Sequence, residues 1–151
     1  YLDELSHNLL LYYTDTSRFS SKIIQKQQQN VINEDLTAIE AMHQLKKQAI
    51  RMKETLLRGK LDEIGEILDF GWKFKKQMAS GITNDNLDKL YETAIKNGAT
   101  GGKISGAGGG GYMFFYCPGN TRYQVIESLK QFGGYAERYE FTHGGLVTWT
   151  L

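Results

Sequence analysis

The period of the hydrophobic positions changes several times along this chain, and each change marks an element. Residues 8–13 read Asn-Leu-Leu-Leu-Tyr-Tyr, a compact apolar run that predicts a buried strand. Ser20 or Ser21 then caps a predicted helix opening near Lys22, and the polar residues 25–29 form its exposed end. Asn33 is the expected cap of the next helix, with Glu34 and Asp35 set favourably against the dipole in its first turn. Ala38, Met42, Leu45, Ala49, Met52 and Leu56 follow at alternating spacings of four and three, a helical stripe with methionine as core filler, stopped by Gly59. His43 lies beside that stripe as a helix-surface residue without a second ligand at helical spacing. Leu61, Ile64, Leu68 and Trp72 place a further helix over residues 60–79, antiparallel to the one before it. Residues 80–84 form a loop ending in a cap. Leu87, Leu90, Tyr91, Ala94 and Ile95 then give another stripe, closed by Gly98.

Beyond Gly98 the pattern changes character. Lys103-Ile104-Ser105 approaches a loop dense in glycine, and residues 112–117, rich in aromatic side chains, read as the strand that leaves it. Thr121-x-x-Gln124 has the form of a capping box, with Val125, Ile126, Leu129 and Phe132 facing inward on a helix that ends at Gly133-Gly134. Residues 135–142 alternate, His143-Gly144-Gly145 makes a tight turn, and residues 146–151 return, so a closing hairpin is expected. Strands and helices are segregated along the chain, which predicts an α+β fold, an antiparallel sheet covered on one face by helices.

The glycine-rich stretch is the first candidate for chemistry. Residues 98–111 read Gly-Ala-Thr-Gly-Gly-Lys-Ile-Ser-Gly-Ala-Gly-Gly-Gly-Gly. Glycine loses more backbone freedom on folding than alanine, about 0.5–1 kcal/mol inside regular structure, so such a cluster belongs where something approaches the main chain. Bare N–H groups in such a loop suit a phosphate. Neither common nucleotide loop fits. A P-loop needs glycine where Asn97 stands and a hydroxyl where Ile104 stands. The match of Gly106, Gly108 and Gly111 to the dinucleotide fingerprint opens a strand instead of a helix.

Length and composition narrow the rest. The chain has 151 residues, enough for one domain with a real core. Its 18 basic and 17 acidic residues nearly cancel, so no general attraction to nucleic acid or to an anionic membrane is expected. Cys117 is the one cysteine, which rules out an internal disulfide, and its place in an aromatic strand reads as a small buried hydrophobe. No run approaches the ~20 apolar residues of a membrane helix, and a cytoplasmic protein is expected. Candidate ligand contacts are the hydroxyls and cation after the first strand (Thr16, Arg18 and Ser20) and the basic end of the 60–79 helix (Lys75 and Lys76). For that basic end, favourable placement against the helix dipole is the competing explanation.

These residues resemble a known family. Gly98-Ala99 with residues 101–111 closely resemble the third conserved motif of the GHMP kinases. The likeness is closest to the sugar branch, the D-glycero-D-manno-heptose 7-phosphate kinases and their fucokinase relatives. Residues 10–18, Trp72-Lys73-x-Lys75-Lys76, residues 80–84 and the strand 112–116 resemble that branch in the same order. The resemblance covers residues 1–151 as a ferredoxin-like carboxy-terminal domain, without the amino-terminal domain that carries the family's nucleotide motif, metal-binding carboxylate and base. It implies transfer of a phosphoryl group from ATP, with Mg²⁺, to the anomeric hydroxyl of a heptose 7-phosphate. Gly106, Ala107, Gly108 and Gly109 match the loop beside the nucleotide phosphates. Thr16, Arg18, Ser20, Lys75 and Lys76 become candidate contacts to a phosphorylated sugar. No catalytic base and no metal ligand is carried over to this chain, and the chain alone is expected to be inactive. A non-catalytic ligand-binding module on the same scaffold, or a kinase for another acceptor such as fucose, are the alternatives.

Overall fold

A computed structural model describes residues 1–16 and 20–150. Four strands, β1 (Leu9–Tyr13), β2 (Gly101–Ile104), β3 (Tyr112–Tyr116) and β4 (Tyr135–Glu137), form one sheet in the order β2-β3-β1-β4. Every neighbouring pair is antiparallel, with Leu11 opposite Phe114 on one side and Glu137 on the other. Strand, helices, hairpin, helix, strand is the ferredoxin-like split βαβ arrangement, with the first crossover expanded. The helices are α1 (Leu2–Asn8), α2 (Ser20–Ile32), α3 (Leu36–Leu57), α4 (Ile64–Lys75), α5 (Asp85–Lys96) and α6 (Thr121–Leu129). The expected α+β class holds.

Alternation on the strands divides the sheet into two faces. Leu10, Tyr12, Ile104, Met113 and Phe115 point into the main core, where they meet Trp72 of α4, Leu87, Leu90 and Ala94 of α5, and Val125 and Leu129 of α6. Tyr12 also donates its hydroxyl hydrogen toward the carbonyls of Leu129 (3.0 Å) and Gly133 (2.6 Å), tying the end of α6 to the central strand. On the other face, Leu9 and Tyr116 join a smaller cluster with Leu61, Ile64 and Leu68. That cluster covers one end of the second face. The end nearer the glycine loop carries Leu11, Tyr13, Phe114 and Tyr112, all half-buried.

Several local expectations are corrected. Asp35, not Asn33, caps α3, its carboxylate accepting from Ala38 N at 3.1 Å, while Glu34 lies outside with φ +55°. The stripe of α3 holds at Ala38, Leu45, Met52 and Leu56, which are buried or packed on the core, but Met42 and Ala49 are exposed, and Ala41 and Thr55 are buried in their stead. Gln48 and Thr55 face α4 and hydrogen-bond to Ile67 O and Glu63 Oε2, so polar residues hold positions that a purely apolar stripe passes over. The 60–79 helix is a 3₁₀ turn (Leu61–Glu63) followed by α4, which ends at Lys75. Ser20 begins α2 as its first residue, ahead of the expected start. Asn120 occupies the cap of α6, and Thr121 donates to Gly98 O and Pro118 O instead of closing a capping box. The closing hairpin does not form among the described residues. β4 stops at Glu137 and pairs with β1, and Leu146, Val147 and Trp149 are exposed. Helix α1 was not anticipated.

Candidate functional site

Residues 105–111 close the β2–β3 hairpin at one end of the sheet. Gly108 has φ +117° and Gly110 +144°, backbone that side-chain-bearing residues avoid. A Cβ at Gly108 would lie 2.8 Å from Ile82 Cα, and one at Gly110 would run into the main chain of Thr16. The loop is therefore held from both sides. Gly109 N donates to Ile82 O at 2.8 Å, and Gly111 N to Thr16 O at 2.7 Å. The N–H and the hydroxyl of Thr14 both donate to Gly111 O, each at 2.9 Å.

The remaining N–H groups are what the loop has to offer. Those of Gly106, Ala107, Gly108 and Gly110 donate to no acceptor among the described residues. Gly106, Ala107, Gly108 and Gly110, with Ser105, Tyr112 and Ser20, line a cavity of about 210 Å³. Ser20 opens α2, so the positive end of a 13-residue helix borders the same space. Gln27 of α2 donates to Ala107 O at 3.4 Å and ties helix to loop. Converging bare N–H groups beside a helix N-terminus make a setting for an anion, a phosphate group above all.

The candidate residues divide accordingly. Gly106, Ala107 and Gly108 surround the cavity, whereas the N–H of Gly109 is used on Ile82. Ser20 lies at the cavity. Thr16 lies beside the loop and supports it through its carbonyl, its hydroxyl donating to Thr14 O at 3.2 Å. Arg18 lies outside the described residues. Lys76 is bound elsewhere: its ammonium contacts Asp88 Oδ1 at 3.2 Å and sits 5.7 Å from the Trp72 ring centroid.

Lys75 differs from its neighbour. It is half-buried, and burial, followed by the nearby charge of Lys103, lowers its proton affinity below that of an ordinary lysine. Lys103 stood in the sequence only as part of the glycine motif. Its alternation with the core residue Ile104 was the signal that its side chain belongs to the opposite face. Tyr112, at the cavity rim, has its hydroxyl pushed up to about 12, chiefly by the hydroxyl of Tyr135 beside it. Cys117 is fully buried, and burial pushes its thiol up to about 12, as befits an inert core residue. Among the described residues no three His, Cys, Asp or Glu side chains converge as a metal site, and no helix is long and apolar enough to cross a membrane.

Fold and loop together define a class: an α+β domain that closes a sheet hairpin with a glycine-rich loop, four of whose N–H groups have no acceptor among the described residues. Residues 52–134 match the family model described as GHMP kinases C terminal, and the chain belongs to that family. Among curated proteins it is 36% identical over 148 residues to the D-glycero-alpha-D-manno-heptose 7-phosphate kinase of Campylobacter jejuni, covering 98% of this chain and 43% of that protein. The solved structure of a putative sugar kinase from Campylobacter jejuni superposes with a TM-score of 0.63 at 35% identity, over 97% of this chain and 40% of that one. A D-glycero-D-manno-heptose 1-phosphate kinase from Bacteroides thetaiotaomicron gives 0.58 at 30% identity, over 89% and 33%. The chain thus spans less than half the length of these relatives.

Proposed function

We propose that this chain is the carboxy-terminal domain of an ATP-dependent kinase that phosphorylates the anomeric hydroxyl of D-glycero-D-manno-heptose 7-phosphate. The observation that carries the reading is the set of four uncommitted N–H groups around a cavity at the helix N-terminus, in a chain 36% identical to a heptose 7-phosphate kinase. Phosphoryl transfer depends on positioning and on neutralising charge more than on covalent chemistry. The N–H groups of Gly106, Ala107 and Gly108 fit a phosphate of ATP, which when bound supplies the transferred group. They offer preorganised donors to charge that grows during transfer. Thr16 holds the loop in register, and on this reading Ser20 and Lys75 serve the acceptor side. The Mg²⁺ ligands and the base belong, on this reading, to an amino-terminal domain outside this chain. The single buried cysteine fits a reducing, cytoplasmic setting.

The test is an assay of the full-length enzyme with ATP and Mg²⁺ against heptose 7-phosphate, fucose, galactose and mevalonate. Turnover of the heptose 7-phosphate alone is expected. Turnover of fucose in its place would reassign the acceptor, and no turnover of any would favour a binding module.

A further inference from the structure

We propose that Lys75 and Lys103 form the seat of a phosphate group on the open sheet face, two residues along the strands from the glycine-loop cavity. On the kinase reading above, on which this choice of ligand rests, the seat holds the phosphate that the acceptor sugar already carries.

The backbone brings the two lysines together from different directions. Ile64, Leu68, Gly71 and Lys75 recur at helical spacing on the side of α4 that packs inward, and the first three are buried. Gly65 of α4 presses on Gly101 of β2, which fixes the helix along the edge strand. Lys75 is half-buried in the last turn of α4, as a long side chain with a covered stem would be. On β2, Ile104 enters the core, so Lys103 points to the other face, paired across the ladder with Phe114. Tyr112 lies two residues from Phe114 on that same face and lines the cavity. The step between them is about 7 Å of strand.

Charge distinguishes this pair from the cations around it. Lys73 has Asp69 and Lys76 has Asp88. Among the described residues no carboxylate lies within ion-pair distance of Lys75 or Lys103. Glu137 shares the cross-strand row of Lys103 but is separated from it by Phe114 and Leu11. Three strand spacings amount to about 14 Å, beyond the ~10 Å over which salt leaves charges sensible to one another. The negative end of α4 accounts for lysines in its last turn, yet it does not account for Lys103 on the neighbouring strand close to one of them. Two half-buried lysines close enough for the charge of one to lower the proton affinity of the other, with no counter-charge among the described residues, are unfavourable. A phosphate monoester, with a charge of about −1.5 to −2 at neutral pH and three acceptor oxygens, relieves both at once.

The direct test titrates inorganic phosphate into this chain at constant ionic strength while the lysine side-chain methylene signals are followed by NMR. Signals of Lys75 and Lys103 are expected to move together along one saturating curve. Lys75→Met or Lys103→Met should weaken phosphate binding about tenfold, as loss of one charge-assisted contact implies. Lys103→Arg should retain it, and Lys76→Met should change it less than about twofold. Phosphate that moves neither signal, or an affinity indifferent to Lys103→Met in a variant with an otherwise unchanged spectrum, overturns the seat. None of these readouts requires kinase activity, so the seat stands or falls apart from the proposed reaction. In the full-length kinase, Lys103→Met should raise KM for the phosphorylated acceptor and leave KM for ATP unchanged. The opposite split would keep the seat and overturn its assignment to the acceptor, giving it to a nucleotide phosphate.

Discussion

Gly65 and Gly101 lie so close that neither position has room for a side chain. A Cβ at Gly101 would strike the Gly65 carbonyl and come within 3.0 Å of Asp69 N, and one at Gly65 would strike the side chain of Thr100. This contact lays α4 against β2 on the sheet face to which Gly101 and Lys103 point. It also brings the end of α4 to the end of β2 where the glycine loop begins.

Gly101→Ala should therefore be costly, because the atoms in the way are main chain and cannot rotate aside. We expect a loss of about 1–3 kcal/mol in unfolding free energy, typical of overpacking, seen as a lower urea midpoint at unchanged slope. Gly144→Ala is the control, since a methyl there meets nothing within 4 Å; it should stay within about 0.5 kcal/mol. Equal midpoints for the two variants would show that helix and strand do not touch there.

Within the loop, Gly108 and Gly106 separate shape from strain. Both have positive φ, but a Cβ at Gly108 meets Ile82 Cα at 2.8 Å while one at Gly106 points into open space. Gly108→Ala must move the loop off Ile82 and misplace its donors. In the full-length kinase it should lower kcat/KM for ATP by about a hundredfold or more, the scale of losing one preorganised donor. Gly106→Ala carries only the left-handed backbone penalty of about 1–2 kcal/mol and should lower kcat/KM less than tenfold by the same scale. The reverse ranking would mean that the loop is not positioned by Ile82.

How much of this was legible in the sequence depends on whether the deciding partner was local. Helix α5 was legible in its cap, its stop and all of its stripe but Ile95, which is exposed. Asn84 accepts from Leu87 N at 3.0 Å, Leu87, Leu90, Tyr91 and Ala94 are buried, and Gly98 takes φ +113°. Cap, stripe and stop all lie within a few turns of one another. The stripe of α3 was right at Ala38, Leu45, Met52 and Leu56 and wrong at Met42 and Ala49, because Gln48 and Thr55 face inward to bond to Ile67 and Glu63, partners no local pattern reveals. The alternation after Gly134 was read correctly only as far as Glu137, where β4 joins the sheet beside β1, a partner more than 120 residues earlier in the chain; the return strand expected after residue 145 does not form among the described residues. The glycine loop itself was plain, but which of its N–H groups remain available depends on Ile82 and Thr16. The face that Lys103 takes was legible in its alternation with Ile104, but that α4 lies against the same strand was not, since the Gly65–Gly101 contact that sets it there is long-range.

The cavity at the loop holds donors but no converging carboxylates, and the described residues gather no metal site. The purified 151-residue chain should accordingly show no ATP-dependent transfer to heptose 7-phosphate under conditions where the full-length enzyme turns over. A coupled assay with Mg²⁺ present decides it. Measurable turnover by the chain alone would place the whole machinery within these residues and refute the two-domain reading.

Cys117 provides a test of the core by pH. It follows β3, is fully buried, and its N–H donates to Asn8 O at 2.7 Å. Burial raises its thiol from 9.0 to about 12, partly countered by the charge of Arg122. The folded state thus holds this proton more tightly than the unfolded chain does. Below about pH 9 both states keep the proton, and the group contributes its full stability. As pH climbs from 9 toward 12 the unfolded chain alone is relieved of it, and stability falls by about 1.4 kcal/mol per unit. Raised tyrosines, Tyr91 and Tyr116 among them, act in the same direction only above their ordinary value of 10, and Lys75, lowered by burial, acts in the opposite direction, so it is the comparison with Cys117→Ala between pH 9 and 10 that isolates the thiol. Urea unfolding of the wild-type chain and of Cys117→Ala should give a constant difference from pH 7 to 8.5 that shifts against the wild type by pH 10. Alkylation should follow the same logic, with iodoacetamide reacting at pH 8 only as fast as the domain opens. Rapid modification of the folded chain, or a difference that does not change between pH 9 and 10, would show that Cys117 is not held in the core.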